Sequence, residues 1–111
     1  MSERERRLAL NEAMFREVNE RVEDMTKTFE SDSGTFEILC ECADADCTER
    51  LSIPKDVYEH VRSDPTHFLL RAGHEDTTVE HVIETHDSYI VVEKHGRDVE
   101  RVVEQTDPRS D

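Results

Sequence analysis

All three cysteines of this chain lie in the stretch CECADADC, as Cys40, Cys42 and Cys47. Thiols this close can bind a soft metal ion, or they can oxidise and exchange as a redox group. Residues two apart on a strand share a face with Cα atoms roughly 6.6 Å apart. That is near the upper limit for a disulfide, so a Cys40–Cys42 bridge would need a bent backbone. Zinc relaxes the demand, because thiolates at about 2.3 Å from the ion sit roughly 3.7 Å from one another. The loop ADAD lets the chain turn back and deliver Cys47, and a thiolate-rich set favours zinc over magnesium or calcium. A closed tetrahedral site needs a fourth ligand. His74, in the turn AGHE where Gly73 permits an unusual backbone, is the first choice. His67 comes next, then Asp44 or Asp46. The spacing C-x-C-x4-C is less specific than paired C-x-x-C knuckles, so a redox thiol cluster and plain free cysteines stand beside the zinc reading. A catalytic zinc keeps an open position. That would require His74 to be no ligand at all, with Glu75 as a general base.

The elements that must position these residues can be read from periodicity. Residues 3 to 30 form one long helix, with Ser2 and Glu5 at capping-box spacing and SDSG as its stop. Leu8, Asn11, Phe15, Val18, Val22, Met25 and Phe29 step by three and four along it, a heptad seam with one polar member. TFEILCEC then alternates, placing Phe36, Ile38, Cys40 and Cys42 on one face and Glu37 and Glu41 on the other. A short strand over 50–53 follows, then a helix from Pro54 to about Ser63 with Val57, Tyr58 and Val61 as its apolar face. HFLL is a third strand. TVEHVIE, rich in β-branched residues, pairs as a hairpin with YIVVEK. A short helix over 98–105 and a disordered tail, TDPRSD, end the chain. His60, His67, His74 and His81 recur every seven residues, but Pro65 and Gly73 interrupt any helix there, so the spacing is read as coincidence.

Composition limits the function classes. The 111 residues are 34% hydrophobic and 5% aromatic with no Trp, so the core is small and a metal staple or a partner is the usual remedy. A net charge of −14 repels nucleic-acid phosphates and anionic lipid, so neither nucleic acid nor membrane is expected as a partner. The bases are 3 Lys and 11 Arg, a bias that a GC-rich genome or a salt-adapted host would produce. No stretch approaches the ~20 apolar residues of a membrane span, and MSERERRLALNEAMF lacks a signal-peptide core. A cytoplasmic setting follows, where clustered thiols more often hold metal than form disulfides.

NEAMFREVNERVE, CECADADCTERL, VYEHVRSDPTHFLLRAGHE and YIVVEK together resemble a group of small uncharacterised proteins of actinobacterial type, over most of residues 11 to 94. The resemblance implies that helix, cysteine cluster, Gly-His-Glu turn and final strand belong to one module, and that His74 goes with the cysteines. It implies no activity.

The expected fold is α+β, a long N-terminal helix followed by a small, mostly antiparallel sheet with one or two short helices, stapled by a metal site. Residues 1–33 are assigned to the helix, 34–97 to a zinc-binding module and 98–111 to the short helix and tail. The expected function is non-enzymatic: zinc held by Cys40, Cys42, Cys47 and His74, in a module that binds another protein or regulates it. The alternative is a thiol-based redox or zinc-responsive sensor. A helix of 28 residues would be roughly 42 Å long, more than so small a module covers. Its first half, around Leu8 and Phe15, is therefore expected to pair with a second copy or another protein's helix, with Asn11 setting register. Val22 to Phe29 should pack on the chain's own sheet.

Overall fold

The computed structural model describes residues 2–28 and 35–109, without the side chains of 26–28. The chain runs α1 (Glu3–Thr28), β1 (Thr35–Leu39), β2 (Arg50–Pro54), α2 (Lys55–Arg62), β3 (His67–Leu70), β4 (Glu80–Thr85), β5 (Ile90–Lys94) and α3 (Arg97–Gln105). The α+β class is as expected, with the strands divided between two antiparallel sheets. β1 and β2 form a hairpin in which Phe36 pairs with Ile53 and Ile38 with Leu51. The other sheet has the order β3-β5-β4, so the Val-rich β5 lies between its partners.

Alternation along β3 and β5 sorts the core into two layers. Phe68, Leu70, Ile90 and Val92 face Ala9 of α1, Val99 and Val103 of α3, and the cysteines. Leu69 and Val91 face the opposite way, onto Tyr58 and Val61 of α2 and Phe36, Ile38, Leu51 and Ile53 of the hairpin. The cysteine loop lies between β1 and β2 and touches the first layer.

The start of α1 is capped as expected, with the Glu5 N–H donating to Ser2 Oγ at 3.0 Å. Its docking face differs from the heptad seam. Phe15 is buried, but Val18 and Met25 are 39% and 62% exposed, and Phe29 and SDSG lie outside the described residues. The buried stripe is Ala9, Glu12, Ala13, Arg16, Asn19, Glu20 and Glu23, which also follows helical spacing. The two alanines let the backbone approach closely, and the long polar side chains find partners. Lys94, fully buried at the end of β5, is ion-paired to both Glu12 and Glu80. Arg16 lies over the Phe68 ring at 4.5 Å and donates to the carbonyls of Pro65 and Val103. Arg62 of α2 pairs with Glu20 and Asp107. The split of α1 into a pairing half and a packing half is thereby corrected, since Leu8 and Phe15 pack within the chain's own fold just as Val22 does.

Two further expectations change. Glu41, assigned to the solvent face, is fully buried; its Oε1 accepts from Leu69 N and its Oε2 from Asn19 Nδ2, at 3.0 and 2.8 Å. The tail is fastened as far as Arg109, which donates to Glu20 and Glu59 at 2.8 and 2.7 Å.

Candidate metal centre

Cys40 and Cys42 follow the end of β1, Cys47 precedes β2, and His74 stands in the turn after β3. The hairpin ladder continues one step past β1, with Cys40 N donating to Glu49 O at 3.0 Å, and Glu41 N then donates to Leu69 O at 2.9 Å. These two bonds hold the knuckle against β3. The loop turns back on Asp44, whose side-chain Oδ1 accepts from Asp46 N at 2.9 Å while its carbonyl accepts from Cys47 N at 3.0 Å. On the other side, His74 N donates to Arg71 O at 3.1 Å, and Gly73 has φ of 88°. A side chain at Gly73 would be strained by that conformation.

The outcome is a convergence of four donor atoms. Sγ of Cys40, Cys42 and Cys47 and a ring nitrogen of His74 all lie within 4.8 Å of one another. His74 Nδ1 is 3.6 Å from Cys40 Sγ and 3.6 Å from Cys47 Sγ. In a tetrahedral zinc site with bonds of about 2.3 Å to sulfur and 2.05 Å to nitrogen, that edge is about 3.6 Å. All three cysteines are free thiols, so the donor set fits a metal ion. Cys40 and Cys42 are buried, whereas Cys47 and His74 are half-buried, and a surface hollow lined by Cys42, Asp44, Gly73 and His74 opens beside them.

Electrostatics divide the thiols. A hydrogen bond from Cys40 pulls the Cys42 thiol down to about 5, and His74 adds to the effect. The same hydrogen bond, together with burial, holds Cys40 up. Burial pushes Cys47 up as well. The three thiols thus differ in acidity, and a bound cation would displace the protons of those held up. The Arg71 N–H, donating to Cys40 Sγ at 3.2 Å, suits a thiolate in that place.

Each sequence-derived ligand can now be placed. His74 joins the cysteines. His67 does not, because its Nε2 lies 2.9 Å from Glu93 Oε2 in a different cluster. Asp44 and Asp46 shape the loop and stand outside the four-donor group. Two contributors escaped sequence reading. Asn11 Nδ2 donates to Ala43 O at 2.9 Å, tying α1 to the loop between Cys42 and Asp44. Arg71 acts through its backbone, for which no side-chain signal exists. The polar residue in an apolar seam was the available sign for Asn11, but that signal equally suits a helix pair.

Comparison of the chain with protein-family models, with curated proteins and with solved structures gives no match in any of the three. Among the described residues, no helix is long and apolar enough to cross a membrane.

Proposed function

We propose that this chain is a small zinc-stapled protein of the cytoplasm that works by binding another protein rather than by catalysis. The observation that carries the reading is the closed donor set, three sulfurs and one imidazole nitrogen, with the Cys40 and Cys47 Sγ–Nδ1 edges both at 3.6 Å. Three thiolates select zinc among the common hard and borderline ions, and four protein ligands leave no position for a substrate or an activated water. The partner surface is the outer side of α1, where Leu10, Met14, Val18 and Met25 are 38%, 48%, 39% and 62% exposed. A second copy of the chain or another protein's helix would cover it.

Elemental analysis of protein made without a metal-affinity tag tests the centre. About one zinc per chain is expected, with tight binding lost in Cys42→Ser. A zinc content near zero refutes the proposal.

Exposure favours one alternative, a zinc-releasing thiol sensor, because Cys47 and His74 are half-buried beside an open hollow. In that reading hydrogen peroxide oxidises two zinc-bound thiolates to a disulfide; with two protons it becomes two waters, and Zn2+ departs. Stoichiometric peroxide releasing zinc within seconds supports the sensor, whereas release over hours supports a structural staple.

A further inference from the structure

The three-stranded sheet carries a second convergence of metal-ligating side chains. Glu93 of the central strand pairs with His67 on β3 and with His81 on β4. Directly opposed residues point to the same side of a sheet, so these three form a row across it, on the face that also carries Leu69 and Val91. Asp64, in the turn after α2, joins the row at its β3 end. His67 Nε2 lies 2.9 Å from Glu93 Oε2 and 3.4 Å from Asp64 Oδ2, and one donor atom from each of the three lies within 4.8 Å of the others.

Two features separate this group from an ordinary surface ion pair. Both carboxylates address the same imidazole nitrogen, and one N–H can satisfy only one of them. A divalent cation in place of that proton would be bonded by all three. In addition, the Asp64 carboxylate is held from behind. Asp64 Oδ1 accepts from Thr66 N at 2.9 Å and from Thr66 Oγ1 at 2.7 Å, which leaves Oδ2 directed at His67. Glu93 Oε1 lies 3.5 Å from His81 Nε2, which leaves Oε2 for the site. Such outer contacts orient ligands for a metal.

We propose that Asp64, His67 and Glu93, backed by His81, form a second metal site, one for a first-row divalent cation bound by nitrogen and oxygen. With no sulfur in the set, it suits harder ions than the cysteine centre does. Its residues are partly exposed, with side-chain exposures of 22% for His67, 44% for Asp64 and 38% for Glu93. The cation therefore keeps water on its outer side.

Mn2+ is the suitable probe, since it prefers oxygen and nitrogen donors and competes poorly for a thiolate site already filled with zinc. Electron paramagnetic resonance of free Mn2+, titrated with zinc-loaded full chain, should show one saturable site. Glu93→Gln, close in shape, and His67→Ala should each weaken it by at least about tenfold. Glu84→Gln is the control. It alters an exposed His–carboxylate pair, Glu84 with His86 at 2.9 Å, and should leave Mn2+ binding unchanged. Zinc content and circular dichroism should be the same in all variants, which separates this site from the cysteine centre. Equal affinity in wild type and Glu93→Gln, equal loss in Glu84→Gln, or no saturation at millimolar Mn2+ would overturn the proposal.

Discussion

Replacing Lys94 by Met tests whether the buried charges under α1 are held by one another. The Lys94 ammonium is fully buried between Glu12 and Glu80, both also fully buried, and Glu12 Oε2 has no hydrogen-bond partner. Burial pushes Glu80 up to about 7, and burial likewise pulls Lys94 well below its usual range. The ammonium therefore faces two buried carboxylates, of which burial holds Glu80 up toward neutral pH. Met fills the aliphatic volume of Lys but supplies no charge, so Glu12 must take up a proton to stay buried. Holding a carboxyl of ordinary value 4.5 neutral at pH 7 costs about 3 kcal/mol at 1.36 kcal/mol per pH unit. The figure agrees with the roughly 3–5 kcal/mol lost when one partner of a buried pair is removed. The cost should shrink by about 1.4 kcal/mol per pH unit below 7 and nearly vanish near pH 4.5, because the carboxyl is then protonated in the unfolded chain too. Urea unfolding of zinc-saturated protein across this range measures it, and Lys94→Met combined with Glu12→Gln should recover most of the loss at pH 7. A pH-independent loss, or no loss at pH 7, would refute the reasoning.

Glu80→Gln should flatten the pH dependence of stability. The folded value of Glu80 lies above the unfolded one, so its contribution is fully present below about pH 4.5 and is lost as pH rises through about 7, a swing of up to about 3 kcal/mol. The difference between wild-type and variant unfolding curves reads it directly. Asn11→Ala should cost about 1 kcal/mol of stability by removing the bond to Ala43 O, and it should weaken zinc binding in a competition assay with a chromogenic chelator. Stripping the metal should unfold the chain. Structural zinc contributes on the order of 10 kcal/mol, comparable with the whole stability of a small domain, and calorimetry with and without chelator compares the two states.

What could be read from the sequence was what a strong local pattern carries. HFLL became β3 residue for residue, and YIVVEK supplied β5, because short apolar runs bounded by turn residues have few alternatives. The Cys40, Cys42, Cys47 and His74 set was legible because three rare, soft ligands in one loop ask for a fourth. The docking face of α1 was not legible. Periodicity counts apolar residues, and this helix buries two alanines among charged side chains, leaving Met14 and Met25 48% and 62% exposed. The sign of that arrangement is split between two places in the chain. Glu12, Arg16, Asn19, Glu20 and Glu23 share a helical stripe with Ala9 and Ala13, and a fully buried Lys94 ends β5. Neither the helix stripe nor Lys94, which follows Glu93 at the end of β5, means much until the fold brings them together. Glu41 failed for the same reason, since its partners Asn19 and Leu69 come from α1 and β3.

The cysteine loop is also where the separate parts of this fold meet, so a metal held there would do more than clip four side chains. Asn11 of α1 bonds the loop at Ala43, and Asn19 bonds the backbone of Leu39 through both its N–H and its carbonyl, at 2.8 Å each. Glu41 N and Leu69 O join the loop to β3, and Arg71 N bonds Cys40 Sγ just beyond that strand. At this junction the Cys40 thiol is held above its usual range by its hydrogen bond with Cys42 and by burial, and its Sγ is a poorer acceptor for the Arg71 N–H when protonated. A bound cation would convert it to a thiolate and strengthen that bond. A metal held in this loop and the docking of α1 would therefore be linked, each favouring the other by the same coupling free energy. A partner that gripped the outer Leu10–Met14–Val18 face and drew α1 away from the sheet would lower zinc affinity, and zinc would in turn oppose that partner.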